Sequence, residues 1–132
     1  LNIPDEEVAL DALTSNIVTT GKISGGVYTA SYSSNQTLSI AECKGYVVYV
    51  TGAATITLPA IADGMTVSII TIGAVAISVD PNASDKLWLD GTALADGNKA
   101  TNTSTTGDMI VLTYYSADGW YAVSNSWTDG GA

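Results

Sequence analysis

Between Thr55 and Val79 the chain alternates in side-chain character at every second position, and no helical period interrupts it. Ile56 and Leu58, then Val67 and Ile69, then Val75, Ile77 and Val79 fall at every second position within each group, with Thr, Ser or Ala between them. A repeat of two sends successive side chains to opposite faces of an extended strand, so one face is buried and the other stays polar. Asp63-Gly64 supplies a turn within the stretch and Gly73 a second break. A chain built around such a segment folds as β structure. The segment specifies an architecture rather than a chemistry.

The same alternation extends in both directions. Short strands are expected within Ile17–Gly26, ending in glycines, and near Val27–Ser33, Thr37–Ala41, Gly45–Thr51, Lys86–Leu89, Asp108–Tyr115 and Trp120–Ser124. Gly45–Thr51 carries apolar residues on both faces, as a central or interface strand does. Ser116-Ala117-Asp118-Gly119 reads as a hairpin turn. Nine or ten short strands at roughly ten-residue spacing predict an all-β fold, a single antiparallel β-sandwich or barrel-like domain. No exact internal repeat and no low-complexity linker divides it. Its expected bounds are residues 27–132, with residues 1–26 as an N-terminal arm or docking segment.

That segment differs in kind. Pro4 followed by Asp5, Glu6 and Glu7 suits a helix start, since acids favour the positive end of the helix dipole. An extended arm fits equally well, and both alternatives stay open. In either form Ile3, Val8, Leu10 and Leu13 are candidate docking residues, because so short a segment needs the body or a neighbour to cover them. The chain begins at Leu1, the expected start of a processed protein or of a piece of a longer one.

Composition narrows the function. The 132 residues fit one domain with a real core. Charged residues make up 13%, about half the usual share of roughly 25%, so Ser, Thr, Asn and Gly cover the surface or other subunits hide it. Four lysines against thirteen acids give a net charge of −9. Nucleic-acid phosphates and anionic membrane surfaces both repel such a chain. No apolar run reaches the roughly 18 residues of a membrane span.

Catalysis finds few candidates. There is no histidine, the group most used for acid–base work and for activating nucleophiles. A carboxylate pair could act as in glycosidases, but Asp63, Asp80, Asp90, Asp96, Asp118 and Asp129 all precede Gly or Pro, where aspartate bonds its local backbone in turns. The single Cys43 allows no intrachain disulfide and reads as a small buried side chain. One Cys without His cannot hold zinc, and Asp80-Pro81-Asn82-Ala83-Ser84-Asp85 lacks the spacing of calcium loops. The expectation is a protein that is not an enzyme, with no metal and no cofactor. Trp88, Trp120, Tyr121 and Trp127 are candidate glycan or subunit contacts, although in a chain without Phe they must also fill the core.

Five motifs carry a resemblance: Gly52-Ala-Ala-Thr-Ile-Thr-Leu-Pro59, Asp63-Gly-Met-Thr-Val-Ser-Ile69, Val75-Ala-Ile-Ser-Val79, Gly107-Asp-Met-Ile-Val-Leu112 and Asp118-Gly-Trp-Tyr-Ala-Val123. Together they resemble a β domain of bacteriophage virion proteins, found in tail fibres, head fibres and capsid decoration proteins. The resemblance implies a structural role in virion assembly, stabilisation or attachment. It also implies a homotrimer, with other virion proteins such as the major capsid protein and a host-surface glycan as partners. The first 45 residues lie outside it. Two alternatives remain: a secreted filament or surface-layer subunit joined by N-terminal strand exchange, and a carbohydrate-binding module.

Overall fold

The alternating residues form strands, and the parity that they set decides which side chains are buried. The computed structural model describes residues 26–60 and 63–132. These contain β1 (Thr29–Tyr32), β2 (Gln36–Thr37), β3 (Lys44–Val50), β4 (Ala54–Thr57), β5 (Thr66–Thr71), β6 (Ile77–Asp80), β7 (Leu87–Leu89), β8 (Thr92–Ala93), β9 (Lys99–Thr101), β10 (Met109–Tyr115), β11 (Gly119–Ser124) and β12 (Thr128–Gly131). The only helical element among the described residues is a single 3₁₀ turn at Ala41–Cys43. The expected arm or helix, with Ile3, Val8, Leu10 and Leu13, and the expected strand at Ile17 lie outside the described residues.

Two sheets face each other, as an all-β sandwich requires. The larger has the order β1-β3-β5-β10-β11-β7-β8 and the smaller β12-β9-β6-β4-β2. Ile56, Val67, Ile69, Ile77, Val79, Ile110, Leu112 and Trp120 fill the space between them, each at most 1% exposed. Of the alternating apolar residues Ile56, Leu58, Val67, Ile69, Val75, Ile77 and Val79, all are on this inner face except Val75, which is partly buried against it.

The expected antiparallel arrangement is corrected to a mixed one. Five pairings are parallel and five antiparallel. Four of the parallel ones, all but β7 with β11, have a common origin. From β1 to β6 the chain crosses to the opposite sheet at every step, so β1, β3 and β5 lie parallel in the larger sheet and β2, β4 and β6 parallel in the smaller. Parallel neighbours need a crossover rather than a hairpin, and here each crossover is a strand of the other sheet. The result is three stacked coils, with Thr29 beside Val47 beside Ser68 and Gln36 beside Ile56 beside Val79. Each coil takes roughly twenty residues, at the short end of stacked repeats.

The corners of the coils stack as well. Thr51 N donates to Tyr32 O at 2.8 Å and Ile72 N to Val50 O at 2.8 Å. Gly52 has to be glycine, because a Cβ there would overlap the carbonyl of Ser33 in the coil beneath. After β6 the coiling stops. There β10 lies antiparallel to β5, β9 lies antiparallel to β6, and β10 and β11 form the expected hairpin.

Two other local expectations change. Of Thr37–Ala41 only Thr37 is in a strand, as the second residue of β2, and the segment then runs into the 3₁₀ turn. Asp129-Gly130, read as a turn, lies within β12, where the register slips between Asp129 and Gly131.

Candidate functional site

The polar side chains that are most buried serve the fold. Asn102 accepts from Ile77 N at 2.9 Å and donates to Val75 O at 2.9 Å and to Thr71 Oγ1 at 3.3 Å, tying β5 to β6. Asp108 accepts from Thr103 N, Thr103 Oγ1 and Thr105 N at 3.0, 2.9 and 3.0 Å, closing the loop before β10. Both groups are satisfied by backbone and hydroxyl partners, as buried polar groups require. Among the described residues no three His, Cys, Asp or Glu side chains come together as a metal-binding group.

A titratable cluster lies at the 3₁₀ turn. Ser39 N and Oγ both donate to Glu42 Oε1, at 3.0 and 2.9 Å, and Glu42 N donates back to Ser39 Oγ at 3.3 Å. This is the reciprocal pattern of a capping box. Tyr32 donates its hydroxyl to the other carboxylate oxygen. Burial alone would raise the Glu42 pKa, but the bonds from Tyr32 and Ser39 together hold it below the ordinary value. The same bond, with burial, pushes the Tyr32 hydroxyl up to about 12. Burial, then the Glu42 charge, pushes the Cys43 thiol up to about 11, so it stays protonated and poorly nucleophilic near neutral pH.

This cluster predicts a pH dependence. Glu42 has a folded pKa below its unfolded value, so its contribution is complete above the unfolded value and is lost as pH falls through the folded one. Tyr32 has the opposite sign: its contribution is lost as pH rises toward about 12. Thermal unfolding from pH 7 down to pH 3 should show wild type more stable than Glu42→Gln at pH 7, with the gap closing in acid. A gap independent of pH contradicts the assignment.

The surface features lie on the two outer faces, and these differ sharply. On the larger sheet the outward residues form rows across the strands. One row is Thr29-Val47-Ser68-Val111-Val123, a second Ser31-Tyr49-Ile70-Met109, and a third Thr66-Thr113-Tyr121-Trp88-Ala93. None of these fourteen residues is charged. Val123 is 71% exposed, with Met109, Val111 and Tyr121 between 36% and 41%. A shallow groove of about 320 Å³ runs over Met109, Val111 and Val123 toward Asn125.

The smaller sheet presents hydroxyls instead. Thr55, Ser78, Thr101 and Thr128 form one row and Thr37, Thr57 and Asp80 another. Asp80 lies 4.0 Å from Lys99 Nζ, and Ser78 and Thr101 share a hydrogen bond of 3.2 Å between their hydroxyls.

The four aromatic candidates separate. Trp120 is fully buried, edge-on to Tyr114 at 5.2 Å, and Trp127 is 4% exposed. Both are therefore corrected from surface contacts to core residues. Trp88 and Tyr121 do reach the outer face, as neighbours in register on β7 and β11. Their rings stack at 5.5 Å with 6° between planes. Met109, Val111 and Val123 were not among the sequence candidates. Their signal was present: β10 and β11 are apolar at both parities, which one buried face alone does not require.

Comparisons with protein-family models, curated proteins and solved structures give no match.

Proposed function

We propose that this chain is a non-enzymatic structural subunit that packs against copies of itself through the outer face of its larger sheet. The assembly best supported by the sequence motifs is a bacteriophage virion, with the chain as a capsid decoration, head-fibre or tail-fibre protein. One observation carries the reading: the uncharged apolar surface formed by Val47, Tyr49, Ile70, Met109, Val111 and Val123. Five strands about 4.8 Å apart and about 20 Å long give a plane on the order of 500 Å², near the upper end of patches left bare on monomers.

Charge argues for a second copy as the occupant. Subunits of net charge −9 repel one another, and these rows let two copies meet without burying a carboxylate. A closed ring such as a trimer satisfies every copy. The absence of histidine and the buried thiol of Cys43 favour a structural over a catalytic role. The particle would be extracellular, with a capsid protein as its larger partner.

A second reading, the secreted filament, is favoured by a different observation. Among the described residues β1 and β2 are both edge strands, and both belong to the first of the three coils. An added strand could pair there. One mass measurement in solution separates the two. Wild type should be oligomeric at micromolar concentration, Val111→Asp/Val123→Asp monomeric with an unchanged melting temperature, and a chain lacking residues 1–16 still oligomeric. Loss of assembly on that deletion alone selects the filament. A monomeric wild type overturns both.

A further inference from the structure

The geometry points to a binding site for a single neutral sugar ring at the rim of the larger sheet, where Trp88 and Tyr121 stack beside the β10–β11 hairpin. It does not rest on the assembly reading, since it uses the third row of the outer face rather than the two assigned to subunit contact.

Both rings are positioned before any ligand arrives. Trp88 Nε1 donates to the Asp118 carbonyl oxygen at 3.1 Å, and the Tyr121 hydroxyl donates to the Asp118 carboxylate at 3.1 Å. One hairpin residue thus anchors the polar ends of both aromatics. Rings fixed in this way lose little freedom on binding. On the far side of Trp88 the cross-strand neighbour is Ala93, whose methyl is too small to cover an indole. That side is available to the C–H face of a pyranose.

Trp88 also forms one wall of a cleft of about 240 Å³ under the hairpin tip, shared with Asp85, Tyr114, Ser116 and Asp118. The volume is below the roughly 300–1,000 Å³ of sites for drug-sized ligands, which suits one ring rather than a chain of them. Its walls combine an aromatic surface with a carboxylate and hydroxyls, the acceptors and donors that sugar hydroxyls need. Asp85 is partly desolvated, and burial raises its carboxyl pKa, so hydroxyl donors that replace its lost hydration favour its charged form.

Charge selects the class of sugar. Lys86 lines the cleft, but its ammonium is held by Asp96 at 2.7 Å and by the Leu94 carbonyl at 3.3 Å. The remaining charges, Asp85 and Asp118, are negative, which disfavours sialic and uronic acids and admits neutral hexoses and N-acetylhexosamines.

Saturation-transfer NMR on the intact chain tests this with a panel of neutral hexoses, N-acetylhexosamines, N-acetylneuraminic acid and butylamine. Transfer should appear on the ring C–H protons of a neutral sugar and disappear in Trp88→Ala. In Asp85→Asn binding should weaken about tenfold, the loss of one charge-assisted hydrogen bond. In Val123→Asp it should be unchanged. No transfer to any neutral sugar overturns the proposal, as does equal transfer in Trp88→Ala. Binding of the acidic sugar or the amine alone overturns it too.

Discussion

Trp120→Ala is expected to destabilise the fold by about 3–5 kcal/mol, the range for removing a large aromatic side chain from a packed core. Trp120 is the largest of the fully buried side chains. It lies on β11 between its register partners Tyr114 of β10 and Leu87 of β7. The midpoint of urea unfolding should fall accordingly, with little change in slope. Trp120→Phe should cost much less, about 1–2 kcal/mol. Most of the ring volume is kept, and the indole Nε1 has no hydrogen-bond partner among the described residues to lose. A loss below about 1 kcal/mol in Trp120→Ala, accompanied by loss of sugar binding, would place the side chain at the surface instead.

Gly119→Ala is the second large effect and acts through the backbone. Gly119 has φ +98°, a conformation that L residues avoid, and an added Cβ would overlap the carbonyl oxygen of Lys86. That oxygen already accepts from Trp120 N at 2.8 Å, holding β7 against β11. The left-handed backbone contributes roughly 1–2 kcal/mol and the overlap roughly 1–3 kcal/mol, about 3 kcal/mol together. Thermal unfolding should register a drop on the order of 10 °C for a chain of this size. Gly45→Ala makes a useful control: φ is +95° but nothing lies within 4 Å of the added Cβ, so only the backbone contribution should appear. Equal losses in the two variants would show that the Lys86 contact contributes nothing.

Much of this fold was legible because burial follows parity. Ile56, Leu58, Val67, Ile69, Ile77 and Val79 are all buried, as their spacing required. Asp63-Gly64, Asp90-Gly91, Asp96-Gly97 and Asp118-Gly119 all place glycine at positive φ. What these turns do not reveal is where the next strand lands. Asp118-Gly119 and Asp90-Gly91 close hairpins, whereas Asp63-Gly64 sends the chain to the opposite sheet. Local turn chemistry is the same in both cases, so an antiparallel order was read where a coiled one exists.

A clue to the coils lay in the corners. Gly52-Ala53 and Gly73-Ala74 recur, followed by Pro59 and Pro81. Coils of unequal length hide that recurrence from a search for identity. The functional faces were harder still. In Trp120-Tyr121-Ala122-Val123 both parities are apolar, so which aromatic turns inward depends on Leu87 and Leu112, which come from other parts of the chain.

The coiled half and the antiparallel half together give the molecule a direction. At one end β10 and β9 run against β5 and β6, so no further coil can be laid there. At the other, β1 and β2 carry the same parallel pattern that β3 and β4 had already offered to them. Length can therefore change in steps of a whole coil, inserted between the first coil and the second. The core parity, the closing hairpin and the aromatic rim would all stay in place.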